Sequence, residues 1–282
     1  MPRGRIVAPS PLPGFGLTFG FTAFFLSAVI LLPLAALVIR ALEIPPGELL
    51  RLLVDERALA SYRLSFGAAA LAAAINAVFG FVVAWSLVRY DFPGRRLLDT
   101  IIDLPFALPT AVSGIALATV FSPSGWLGER LALAGVQVAY TRLGVVVALV
   151  LIGLPFVVRA VQPALVEVHR DLEDAAESLG AGGFNVFRRI ILPTVLPALA
   201  TGFTLAFARG IGEYGSIIFI SGNLPFETEI TPLLIVTRLE QFDYAGAAAL
   251  GFFMLATSFV MLLAINAVQG WGQRRLGLGV AR

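Results

Sequence analysis

The sequence contains no cysteine, no lysine, a single histidine, and only 13% charged residues over its 282 positions. Without cysteine there is no disulfide, no thiolate metal site and no cysteine nucleophile. Without lysine there is no amine to grip the β/γ-phosphates in a P-loop and none to form a Schiff base. All twenty basic residues are arginines. His169 adjoins Arg170 and the acids Asp171, Glu173, Asp174 and Glu177, but a metal site would need further His or Cys ligands that the chain lacks. A surface histidine and no bound metal or cofactor are expected. A net charge of +2 is too small to argue for a nucleic-acid partner. What the chain has in abundance is apolar side chains, 58% of the total, with a mean hydropathy of +0.90. A soluble domain carries about a quarter charged residues, so the main solvent of this chain is the lipid bilayer.

A spanning helix needs roughly 20 mainly apolar residues. Six stretches qualify, at 17–39, 64–88, 101–121, 143–165, 193–220 and 245–269. The first follows Arg3 and Arg5, but its apolar run is longer than the roughly 7–15 residues of a signal h-region and no small-x-small site follows. It is read as a retained span. The expected division is a tail at 1–16, a membrane domain at 17–269 and a second tail at 270–282. Six spans put both termini on one side. With that side cytoplasmic, twelve arginines lie inside or at its boundary, seven lie outside, and Arg209 lies within a span. The asymmetry satisfies the positive-inside rule and places the polar loop 166–192 in the cytoplasm.

Two spans carry helix breakers. The third opens with Leu104-Pro105-Phe106-Ala107-Leu108-Pro109, and the fifth contains Pro193, Pro197, Gly202, Gly210, Gly212 and Gly215. Freed backbone in lipid must be satisfied by neighbouring helices or a wet cavity, so Pro105 and Pro109 are candidate pathway residues, ordinary kinked packing being the alternative. Residues 46–61 intersperse leucines with charges and predict a short amphipathic helix on the outer surface. Leu-Pro-Phe recurs at 104, 154 and 224, at unequal intervals, so no internal repeat is read from it.

In the loop 166–192, Asp171 is placed to cap a helix, with Asp174 three residues on as a weak capping box. Asp171, Glu173 and Asp174 lie near the positive end of that helix's dipole. Gly180 suits the left-handed residue that ends it, and Ala175, Ala176 and Leu179 offer a small apolar surface for another protein. Phe184, Phe187 and Ile191 then fall on one face of a second helix leading into span 5. The loop is predicted as helix, tight turn, helix, able to move as a unit. Gly180-Ala181-Gly182-Gly183 has no lysine and no preceding strand, so it is not a phosphate cradle. In span 5, Arg209 and Glu213 are four residues apart, predicting a pair on one helix face. Charges in a membrane face a protein interior or a water-filled route. Arg209 could line the route of an anion with Glu213 holding it, or both could bond neighbouring helices. A carboxylate beside an anion route repels the cargo unless neutralised, which favours a structural role for Glu213.

The spacing Asp174-Ala175-Ala176, three residues, Gly180, nine residues, Ile190, one residue, Leu192-Pro193 resembles the EAA loop of ABC-importer permeases, with Asp in place of the family's leading Glu. The runs 207–215 (Phe-Ala-Arg-Gly-Ile-Gly-Glu-Tyr-Gly), 221–230 and 238–244 are similar to the T-subunit type of sulfate/thiosulfate permease, with molybdate permeases more distant. The resemblance covers the chain from about span 2 onward. It implies an all-α membrane protein of the six-span, MetI-like type I importer fold. Its coupling residues would be Asp174, Ala175, Ala176, Gly180, Ile190, Leu192 and Pro193, and no residue would be catalytic. It further implies a bacterial inner-membrane subunit with a W-type second permease, two ATP-binding subunits that use the ATP, and a periplasmic oxyanion-binding protein. Molybdate or tungstate is the alternative cargo. A secondary transporter driven by an ion gradient is the rival of another class, though the inverted repeats of such folds are not visible here.

Overall fold

The structure is a computed structural model that describes residues 14–275, with side chains through 267. The outer parts of the tails, with Arg3, Arg5 and Arg282, lie outside the described residues. The described chain is helical, with no strand. Five helices are long and apolar enough to cross a membrane, and a bent helix pair supplies a sixth candidate span.

The first is α1 (Phe15–Leu42), followed by the short α2 (Pro46–Leu53) and the long α3 (Glu56–Arg89). The surface helix expected over 46–61 therefore ends at Leu53, and Glu56 onward belongs to α3. α1 widens into a π-turn at Ser27–Leu31, two residues before Pro33. The same arrangement recurs at Phe187–Ile191 before Pro193. Proline cannot donate to the helical ladder, and a wider turn absorbs the missing bond. No side chain of α1 is buried from Phe15 to Arg40. Near the far end, Leu37 reaches Gly251.

The third span is not one straight helix. α4 (Arg95–Ala107) and α5 (Thr110–Phe121) meet at 113°. Leu108 is extended because the ring of Pro109 disfavours the helical conformation in the residue before it. After α6 (Gly128–Leu133) come α7 (Arg142–Glu167) and the polar helix α8 (Arg170–Ser178). α9 (Gly183–Ile211) begins inside the loop and stops nine residues short of the expected end of span 5 at 220. The chain then breaks at 212–216 before α10 (Ile217–Ile220), α11 (Thr231–Glu240) and the last span, α12 (Tyr244–Arg275).

The core is the trio α3, α7 and α9. Lipid supplies no hydrophobic driving force between helices, so close approach through small residues has to hold them. α3 turns Ala68, Ala69, Ala72, Ala73, Gly80 and Ala84 inward. A β-carbon at Gly202 would lie 2.8 Å from the Val157 Cα, and one at Gly80 would lie 2.9 Å from Val157 Cγ1. Gly202 lets α9 close on the backbone of α7, and Gly80 lets α3 close on the Val157 side chain. A second close approach joins the two broken spans: Gly114 of α5 packs directly on the backbone of Ser216, and Gly215 on Thr110.

Candidate functional site

At one end of the trio sits the loop 166–192. His169, not Asp171, occupies the N-cap of α8, and no side chain caps the helix. Asp171 and Glu173 lie instead in its first turn, where the dipole still favours them. α8 ends as expected. Gly180 takes φ +86°, its N–H bonds to the Glu177 carbonyl at 2.8 Å, and the Ala181 N–H reaches back to Ala176 at 3.0 Å. That is the six-to-one closure of a Schellman turn. The motif residues divide between two faces. Asp174, Ala175 and Gly180 are exposed, whereas Ala176 packs against the protein's own core with Ala181, Phe187 and Ile190. Leu192 and Pro193 are half-buried where the loop enters the bundle. The π-turn at 187 also breaks the expected register, so Phe184 points outward while Ile191 is buried. The outward face presents Leu172, Ala175, Leu179 (89% exposed) and Phe184, an apolar strip on a polar helix.

Two ties fix this loop to the end of α3, and neither was foreseen from the sequence. Arg89 donates to a carboxylate oxygen of Glu173 and, at 3.3 Å, to the Val168 carbonyl. Its guanidinium lies 5.4 Å over the Trp85 ring, where the π face attracts a cation. Phe187 packs edge-on against both Phe81 and Trp85 at 5.9 and 6.2 Å. Trp85 and Arg89 lie one turn apart at a span end, which was the only local signal; Glu173 is 84 positions away. A third tie joins α4 to α7. Arg159 grips Asp103 (2.8 Å from Nε) and Asp99 (2.6 Å from Nη1), with Gln162 beside them. This bidentate fork holds the elbow of the bent span.

Arg209 and Glu213 do pair, at 2.7 Å. They are not on one helix face, because Glu213 lies beyond the end of α9, in the 212–216 break. The Glu213 side chain is 2% exposed, and its second oxygen accepts from both the backbone N–H and the hydroxyl of Ser216 at 3.0 Å. The carboxylate thus closes the break, tying the last turn of α9 to the start of α10. Arg209 is 35% exposed and keeps part of its charge open. Pro109 lies exposed at the elbow and Pro105 half-buried before it. The glycine contacts bring that elbow against the Glu213 break, so the two irregular spans meet at one place. Among the described residues there is no cluster of His, Cys, Asp and Glu that could hold a metal ion.

Comparison with known proteins agrees with this architecture. The family model described as "Binding-protein-dependent transport system inner membrane component" matches residues 76–277. The sulfate transport system permease protein CysT of Synechococcus elongatus is 49% identical over 257 residues, covering 91% of this chain and 92% of the relative. CysT of Escherichia coli (strain K12) is 44% identical over 267 residues, covering 94% and 96%. Among solved structures, a bacterial ABC transporter involved in the import of the acidic polysaccharide alginate superposes with a TM-score of 0.75 at 18% identity, covering 90% of this chain and 95% of that one. A complex of the alginate transporter with its alginate-bound periplasmic protein gives 0.74 at 19% identity, covering 93% and 94%. At such identities these structures speak to the fold, and the fold is that of an ABC-importer permease. With its bent third span, its polar helix-turn-helix loop and these relatives, the chain belongs to the binding-protein-dependent transport system inner membrane components, as a multi-pass permease subunit of an ABC importer.

Proposed function

We propose that this chain is the T-type permease subunit of an ATP-driven importer of sulfate and thiosulfate. The observation that carries the proposal is the near full-length match to sulfate permeases at 44–49% identity. In this reading the termini and the loop 166–192 are cytoplasmic. The partners are a W-type permease, two ATP-binding subunits and a periplasmic oxyanion-binding protein. This chain binds no cofactor and hydrolyses no ATP itself, which fits a sequence without a P-loop lysine.

The geometry supplies a route for coupling. The outward strip of Leu172, Ala175, Leu179 and Phe184 meets the ATPase, and Asp174 adds a charge at its edge. Because α8 is bonded to Arg89 and the π-turn is wedged between Phe81 and Trp85, displacement of the loop moves α3 and α9 together. α9 ends at Arg209 and the Glu213 break, and that break is packed on the elbow of the third span. Motion at the loop therefore reaches the place where both pathway candidates, Arg209 and the Pro105/Pro109 elbow, are found. Two conformations with different contacts are sufficient for transport, with no covalent chemistry by the permease.

The test is ATP-dependent uptake of radiolabelled sulfate by proteoliposomes holding the purified complex and its binding protein. Uptake competed by thiosulfate and not by molybdate is the expected result. ATP-driven molybdate uptake without sulfate uptake would replace the cargo, and uptake driven by an ion gradient without ATP would replace the mechanism.

A further inference from the structure

At the end of the bundle remote from the coupling loop, three arginines are paired with carboxylates. Arg57 holds Glu229 through two bonds of 2.7 Å, Arg238 meets Asp243 at 3.0 Å, and Arg40 pairs with Glu43 at 3.1 Å. Arg63 of α3 and Arg142 of α7 differ. Neither has a carboxylate partner among the described residues, and both line a single cavity of about 390 Å³ between the two helices. Arg142 is fixed by backbone carbonyls alone, giving Nε to Glu227 at 2.8 Å and Nη2 to Phe226 at 3.5 Å. Its charge is thereby oriented without being neutralised. Phe226 holds φ at +66°, a conformation that a bulky residue seldom adopts, and this brings its carbonyl into that contact. One turn below Arg63, Gly67 also lines the cavity, and a β-carbon there would meet nothing within 4 Å.

Resting on the oxyanion-import reading, we infer that this cavity is a subsite for a tetrahedral oxyanion, gripped by Arg63 and Arg142 on its way between the binding protein and the membrane route. The Arg63 guanidinium and the edge of the Arg142 guanidinium left free by its carbonyl bonds match such an anion in charge and in donor type, and neither is paired with an acid among the described residues. Glu227 lies at the same cavity with its own carboxylate unpaired among the described residues. It lowers the net positive charge of the site, which suits an anion that must be released again. The same grip fits a lipid phosphate, so the anion source is part of the test.

The assembled importer is placed in phosphatidylcholine nanodiscs without nucleotide or binding protein and titrated with radiolabelled sulfate. Arg63→Gln and Arg142→Gln are each expected to weaken binding by roughly tenfold, the effect of losing one charge-assisted contact. Gly67→Leu, which fills the cavity without removing a charge, should abolish binding. Glu227→Gln should tighten it, a gain that no purely structural role predicts. Arg51→Gln and Arg130→Gln, exposed arginines outside the cavity, should have no effect. Retention of phosphatidylglycerol by the purified wild type and its loss in the same variants would support the site and assign its anion to lipid. Unchanged sulfate and lipid binding in Arg63→Gln and Gly67→Leu would overturn the inference. So would a loss confined to stimulation of ATP hydrolysis by the binding protein, which would make the arginines a docking contact. If wild-type proteoliposomes import sulfate while these variants bind it normally, only the subsite fails and the transport reading stands.

Discussion

Arg209→Gln separates a structural charge from a transport charge, and the asymmetry of the pair gives its magnitude. Glu213 is almost wholly buried while Arg209 is about a third open. Removing the partner of a fully buried charge costs about 3–5 kcal/mol. Here Glu213 keeps two Ser216 donors, so the loss is closer to that of one hydrogen bond to a charged group, about 1.5–3 kcal/mol. Glu213→Gln leaves its single amide oxygen to the buried Ser216 donors and lets Arg209, already partly solvated, turn to solvent, so its cost should be at or below about 1 kcal/mol. The thermal midpoint of the detergent-purified complex, followed by size-exclusion fluorescence, should therefore fall by several degrees in Arg209→Gln and less in Glu213→Gln. The double substitution should recover most of the loss, because no carboxylate is stranded. Sulfate uptake is measured on the same preparations. An unchanged midpoint in Arg209→Gln, with uptake impaired and not rescued by Glu213→Gln, would refute the reasoning from burial and give Arg209 to the pathway alone.

Gly180→Pro, at φ +86° and on a closed Schellman turn, should leave the protein inserted but abolish co-purification of the ATPase subunit; wild-type recovery of that subunit would exclude the loop as its dock. Glu173→Gln should leave ATP hydrolysis by the complex intact and lower uptake, because the tie to Arg89 carries motion and not binding; equal loss of both activities would show that Glu173 contacts the ATPase instead. Ser178→Cys should be sealed from an impermeant thiol reagent added to intact cells while Ser124→Cys labels readily. The chain has no cysteine of its own, so the reverse pattern directly inverts the orientation.

The spans and the turn were legible in the sequence because their causes are local. An apolar run of membrane length reads as a span whatever surrounds it. Gly180 ends α8 because its own backbone can adopt a left-handed conformation. The bend at Leu108-Pro109 belongs to the same class in part: proline announces a break, but the 113° angle comes from the packing of α5 on Ser216.

Long-range partnership was not legible. Arg159 and Asp103 are 56 positions apart, Arg89 and Glu173 are 84, and no spacing rule joins them. The cap of α8 went to His169 in place of Asp171 because the exit of α7 decides where the next helix can start. Ala176, half of an apparent docking pair, turned inward because the π-turn and the aromatic seat of Phe187 fix how the loop lies on the bundle. The sequence by itself therefore determined that this is a polytopic helical protein with a polar helix-turn-helix loop, since hydropathy and backbone preference act within a few residues. Only the tertiary structure decided which face of that loop is free, where span 5 breaks, and which arginines find a carboxylate partner, since each depends on groups brought together from distant parts of the chain.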